Sequence, residues 1–145
     1  MAVERLLKRF FWAIILFVSL NMAITVGCTE KPPNPKINYY LQQVKTEPGN
    51  PIHYTNLGWT LYKDGNLPEA LRWNEKALQI NANNNTARYN LALIYFDQQD
   101  FQKSRRELEL ILKSQPSDPL ALLKLGEVNL KLNKFEEARQ AFKPI

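Results

Sequence analysis

The stretch YTNLGWTLYKDGNLPEALRWNEKALQINA, residues 54–82, decides how this chain folds. Apolar or small residues (Leu57, Gly58, Tyr62, Leu67, Ala70, Leu71, Ala77 and Leu78) recur every three or four positions on both sides of Gly65-Asn66. That spacing is helical, and a Gly-Asn pair between two such runs is a tight turn, so the stretch reads as a helical hairpin. A lone hairpin of this size cannot bury its apolar faces, which raises the question of repetition.

The chain repeats the hairpin at one constant step, without a gap. Leu57 becomes Leu91 and Leu125; Gly58 becomes Ala92 and Gly126; Tyr62 becomes Phe96 and Leu130. Leu67 becomes Phe101 and Phe135, Ala70 becomes Ser104 and Ala138, and Leu78 becomes Leu112. Ala77 becomes Ile111 and then Ile145, the last residue. The small series at 58, 92 and 126, and that at 70, 104 and 138, mark places where helices approach too closely for a large side chain. The series at 67, 101 and 135 puts a bulky apolar residue at the start of each second helix, as a plug for the hairpin.

This pattern resembles the tetratricopeptide repeat (TPR) family over roughly residues 51–145. Leu57-Gly58, Gly65, Ala70, Ala77, Tyr95, Phe101, Pro116, Leu125-Gly126 and Ala138 carry the resemblance. Ala82 departs from it where the family has proline, Arg88 and Leu122 replace an aromatic, and Asn129 stands in line with Tyr95. The resemblance implies an all-α, right-handed solenoid of antiparallel helix pairs. The repeats would run over 51–84, 85–118 and 119–145, the last with its second helix cut short.

At 145 residues the chain has room for one small domain and a tail. Its formal net charge is +5. Arg5, Lys8, Arg9 and Glu4 belong to an N-terminal targeting segment, which leaves 16 basic and 13 acidic residues for the rest. That balance is too even for a nucleic-acid partner. A single cysteine excludes an internal disulfide and a cysteine-based zinc site.

Residues 1–27 read as a signal peptide or membrane anchor. Three cations precede an uncharged, mostly apolar run at 10–27, and the positive-inside rule sends the downstream chain across the membrane. Thr25-Val26-Gly27-Cys28 resembles a bacterial lipobox, with Cys28 as the lipidation point. An uncleaved anchor is the competing reading, since about 18 helical residues span about 27 Å; a cleaved, released domain is a third. In the first two the domain is tethered to the cell membrane on its extracytoplasmic side. Residues 28–50 form a proline-rich linker with a short helix expected at 37–46, which would cover an exposed edge of the core as a half-repeat.

No catalytic constellation appears. His53 is the only histidine and has no nucleophile at a recognised spacing; the five glycines are scattered; the carboxylates lie among lysines on polar faces. No cofactor, metal or enzymatic activity is expected, and the function reads as binding. Carried over from the family, a concave groove would present Thr55, Trp59, Tyr62 and Lys63, then Tyr89, Leu93, Phe96 and Asp97, then Leu123, Glu127, Leu130 and Lys131. Tyr62, Phe96 and Leu130 would serve mainly as core between repeats. Such a wall suits a peptide or helix with apolar anchors from an envelope partner. A carboxylate clamp for chaperone tails is not expected: its positions hold Thr55, Trp59, Asn90, Leu120 and Lys124, and only Asn90 and Lys124 keep the character the family uses there. Two alternatives stand beside this reading. Phe142 and Ile145 would lie on an unsealed end and drive self-association into homo-oligomers, or the chain would be an accessory subunit of an envelope enzyme complex.

Overall fold

The computed structural model of the protein describes residues 34–143. The segment 1–27, Cys28, the linker up to residue 33 and Ile145 lie outside the described residues. Among the described residues seven helices follow one another: α1 (Pro35–Thr46), α2 (Pro51–Lys63), α3 (Leu67–Ile80), α4 (Asn85–Asp97), α5 (Phe101–Ser114), α6 (Pro119–Lys131) and α7 (Phe135–Ala141). No strand occurs among the described residues.

The helix ends keep the step of the sequence repeat. Asn50, Asn84 and Asp118 cap α2, α4 and α6, each accepting a backbone N–H of the first turn on its side-chain oxygen. Asn66 and Asp100 do the same for α3 and α5. Lys134 stands at the next equivalent place and makes no such bond, and α7 is the shortest helix, at 7 residues. The turns within the hairpins are equally regular. Gly65, Gln99 and Asn133 all have positive φ, in the left-handed region that ends a helix. At each one the following residue donates its N–H five residues back, to Leu61, Tyr95 or Asn129, at 2.8–2.9 Å. Only glycine adopts that φ without strain.

Each hairpin closes on a residue with little or no side chain. A Cβ on Gly58 would collide with the carboxamide of Asn74, and one on Gly126 would collide with the ring of Phe142. Between them in the series, Ala92 packs in one cluster with Leu108. Asn74, Leu108 and Phe142 are themselves related by the repeat step. Phe142, expected on an unsealed end, therefore turns its ring onto Gly126 and is 43 % exposed.

The core is made of three clusters of buried residues along the described helices. Leu57, Leu61, Ala70 and Ile94 form one, Tyr54, Ala77 and Ala87 a second, and Ala92, Leu108, Ile111, Ala121 and Val128 a third. Helix α1 begins at Pro35, where a missing N–H costs nothing in a first turn, two residues before the short helix expected at 37–46. Its Ile37, Tyr40, Leu41 and Val44 share one helical face and cover the first cluster. The loop to α2 is tied by the Tyr54 hydroxyl, which donates to the Pro48 carbonyl at 2.9 Å. His53 adds an imidazole nitrogen 2.9 Å from the Glu47 carboxylate. That pairing gives the only histidine a structural place.

The left-handed turn residues yield a paired test. A non-glycine residue in this region costs about 1–2 kcal/mol, of which about 0.4–1 kcal/mol returns because glycine also loosens the unfolded chain. Urea midpoints should show Gln99→Gly stabilising the fold by about 0.5–1 kcal/mol and Gly65→Ala destabilising it by a similar amount. Equal midpoints for all three proteins would mean that the turns carry no strain.

Candidate functional site

Helix α2 touches α4 directly, first helix of one repeat against first helix of the next. Between them lies a cleft of about 270 Å³ lined by Thr55, Asn56, Trp59, Thr86, Tyr89 and Asn90. On α2 the three lining residues fall at i, i+1 and i+4, one helical face. On α4, Tyr89 and Asn90 are Thr55 and Asn56 one repeat later. The cleft is thus a product of the repeat, with two aromatic rings on its walls.

Trp59 is 40 % exposed and held in place from behind. Its ring stacks on Tyr62 with centroids 5.3 Å apart, and Lys63 Nζ sits 5.6 Å from its centroid. The Tyr62 hydroxyl donates to Asp97 Oδ2 at 2.8 Å, which straps α2 to α4 beside the cleft. Burial, then the hydrogen bond to Asp97 and its negative charge, push the Tyr62 phenol up to about 12. Burial also pushes the phenol of Tyr89 up.

The polar lining is largely committed to the scaffold. Thr55 is 4 % exposed; it donates to the Pro51 carbonyl and accepts from Asn84 Nδ2 at 2.9 Å. Asn90 Nδ2 donates to Asn74 Oδ1 at 2.9 Å, and Asn74 Nδ2 donates to the Ala70 carbonyl at 2.8 Å. This buried amide pair joins repeats one and two beneath the cleft. A second depression of about 320 Å³ shares Thr86 and Tyr89 with the first and continues toward Ile111, Gln115 and Leu120.

The other residues expected in the groove divide into three kinds. Tyr62 and Phe96 pack onto core clusters, whereas Leu130, expected to do likewise, is 46 % exposed. Leu93 is half-buried and Leu123 exposed. Glu127 pairs with Lys124, whose ammonium also lies 4.7 Å from the centroid of Phe96. Of the clamp positions that keep the family's character, Asn90 donates through Nδ2 to Asn74 and Lys124 pairs with Glu127. Asn56 and Thr86 are absent from the groove read in the sequence, and Asn90 is named there only as a clamp position. The step from Asn56 to Asn90 was available to find the first; Thr86 carries no signal beyond its place in the first turn of α4. Cys28 and Ile145 lie outside the described residues. Among the described residues no three His, Cys, Asp or Glu side chains come together as a metal site, and no helix is long and apolar enough to cross a membrane.

Two family models match the sequence, tetratricopeptide repeat over residues 89–143 and TPR repeat over 58–99. A search of curated protein sequences gives no match. Solved structures share the fold at low identity. The MamA protein superposes with a TM-score of 0.70 at 21 % identity, covering 76 % of this chain and 60 % of MamA. YrrB, described as a TPR protein with an unusual peptide-binding site, gives 0.67 at 22 %, covering 70 % of this chain and 53 % of its own. The second TPR of Spaghetti (RPAP3), solved bound to an HSP90 peptide, gives 0.63 at 19 %, covering 69 % and 93 %. The chain therefore spans about 60 % of the length of MamA and about half that of YrrB.

The Tyr62–Asp97 strap makes a pH prediction. An acid whose folded pKa is raised contributes stability that is fully present below its unfolded value near 10 and is lost as pH rises through about 12. Urea midpoints at about pH 9 and about pH 11.5 should show a smaller alkaline loss in Tyr62→Phe than in the unmodified chain. An identical loss would mean that Tyr62 ionises as freely when folded as when unfolded.

Proposed function

Because residues 58–143 are tetratricopeptide repeats, we propose that the chain is a non-catalytic protein-interaction module that seats an apolar side chain of an extended peptide between α2 and α4. The observation that carries this reading is Trp59. A large aromatic ring stays 40 % exposed at the mouth of a cleft, backed by a tyrosine that is itself strapped to the next repeat. Rigid, half-exposed aromatic rings are the usual anchors of protein interfaces, since they bring large contact area at little cost in side-chain freedom. Two proteins of similar fold are described as peptide-binding, which supports the same class of ligand here. The commitment of Lys124 to Glu127 argues against an acidic peptide tail as that ligand. Chemistry, where the process needs any, would reside on the partner.

We place the module outside the cytoplasmic membrane, tethered through an acylated Cys28. The motif at residues 25–28, the preceding apolar run and the prolines at 32, 33 and 35 support this arrangement. The intact mass of the protein from its native membrane tests it, beside a Cys28→Ala variant. Loss of residues 1–27 with gain of a diacylglyceryl group is the expected result. An unmodified, full-length mass in the membrane fraction would make the segment an uncleaved anchor instead.

Selection from a displayed peptide library, followed by calorimetry on the enriched peptides, tests the cleft. Trp59→Ala should weaken binding at least about 30-fold, as loss of an interface hot spot does. Leu130→Glu, away from the cleft, should leave it unchanged. A Trp59→Ala protein that binds as tightly as its parent would remove the cleft from consideration.

Self-association remains a second reading because one observation favours it. Leu120, Leu123, Leu130 and Phe135, all exposed, lie on the last helix pair. Phe142→Asp is a poor test, since that ring also closes its own hairpin on Gly126. Leu123→Glu is the cleaner variant. Sedimentation should show a mass that rises with concentration and falls to the monomer in Leu123→Glu; a monomer at every concentration would refute this reading.

A further inference from the structure

One buried side-chain polar atom among the described residues has no hydrogen-bond partner, and its residue lines an open crevice. Asn129 is 2 % exposed and its Oδ1 is unpaired. Asn129 lines a crevice of about 290 Å³ between α5, α6 and α7, with Leu122, Leu125 and Ala141 as its apolar neighbours and Arg105, Glu109, Glu137 and Gln140 as its polar ones. None of these residues belongs to the cleft between α2 and α4.

The preceding repeat shows how the equivalent space is filled. Asn129 is Tyr95 one repeat later. The Tyr95 ring is half-buried, within electrostatic reach of Glu75, Lys103 and Glu107, and Lys103 Nζ lies 5.4 Å from its centroid. Those three positions recur in the crevice as Glu109, Glu137 and Ala141. Beside Tyr95, Arg88 and Glu107 form an ion pair at 2.9 Å that is mostly shielded from water. Their successors, Leu122 and Ala141, cannot pair. The third repeat therefore has neither the phenol ring nor the ion pair next to it, and a carboxamide stands at the position of the ring.

We propose that this crevice is a socket for a tyrosine side chain presented by a partner protein. The apolar part of the lining, Leu122, Leu125 and Ala141, suits the face of a ring, and the polar part, Arg105, Glu109, Glu137 and Gln140, suits its hydroxyl edge. Its volume, about 290 Å³, falls just below the roughly 300–1,000 Å³ of small-ligand sites, room for one side chain rather than a larger ligand. A phenol hydroxyl both donates and accepts, so it satisfies the Asn129 carboxamide whichever of its two ends is turned outward. A buried polar group left unpaired is costly, and a ligand that pairs it recovers that cost.

The test uses p-cresol, the tyrosine side-chain analogue, and toluene, which has the ring without the hydroxyl. Both are titrated into the full-length ¹⁵N-labelled chain and followed by amide shifts. Shifts should cluster at Arg105, Leu122, Leu125, Asn129 and Glu137, with p-cresol about tenfold tighter than toluene. Asn129→Ala keeps the crevice and should erase that tenfold preference. Asn129→Tyr should plug it, abolish p-cresol binding, and raise the thermal midpoint by about 4–8 °C. The proposal is overturned by any of three results: no shifts at these residues up to the solubility of p-cresol, equal affinity for the two probes in the unmodified chain, or an Asn129→Tyr protein that binds p-cresol undiminished. Were Asn129→Tyr unable to fold, the probe preference of Asn129→Ala would decide alone.

Discussion

Two helices can lie close only where one of them gives up its side chain. In this protein that concession is made at Gly58, Ala92 and Gly126, and the facing residues, Asn74, Leu108 and Phe142, fill the space it leaves. The rest of the fold depends on this contact. It sets the spacing of each hairpin, and so the plane in which the next hairpin stacks. The caps and left-handed turns keep a constant step because any insertion would move the small residue off its partner. Stability in such an array is a sum of hairpin terms and neighbour terms. The two ends of the stack differ accordingly. Helix α1 covers the first core cluster, whereas the last described hairpin has an uncapped, short second helix and several exposed apolar side chains.

Most of this was legible in the sequence because it is written as a period. The hairpins, the small series and the turns at 65, 99 and 133 all follow from one offset. The features that escaped it broke the offset or were settled by a neighbour distant in sequence. Asn74 occupies a core position that Leu108 and Phe142 fill with apolar groups. A polar residue there looks like solvated surface until Asn90, 16 residues on, is seen to pair with it. Leu130 fails for the opposite reason. Tyr62 is covered because Asp97 comes from the next repeat, and Phe96 because Lys124 does. No described helix stands beyond α6 and α7 to do the same for Leu130, so an intact pattern gives an exposed side chain.

The groove illustrates the same limit. Transferring positions from one repeat to the next named Trp59 and Tyr89 as walls, and both line the cleft. It could not say that Thr55 would be fixed by Asn84, or that Glu127 and Lys124 would neutralise each other. Those facts concern which side chains are left over once the scaffold has satisfied its own donors and acceptors. Periodicity locates a face; the hydrogen-bond inventory decides what that face still has to offer.

A strictly regular array would present the same surface in every repeat and discriminate among partners poorly. Specificity must come from positions where the repeats differ. Trp59 has Leu93 and Glu127 as its successors, so the exposed indole stands only at the first of these three positions. Tyr95 has Asn129 as its successor, and a crevice lies between α5, α6 and α7 at the last step of the stack. The two features lie on different helix faces and share no residue. Both arise by substitution at positions whose geometry the fold has already fixed. A site made in this way needs no new backbone, and each can change without disturbing the other or the hairpin contact on which the stack depends.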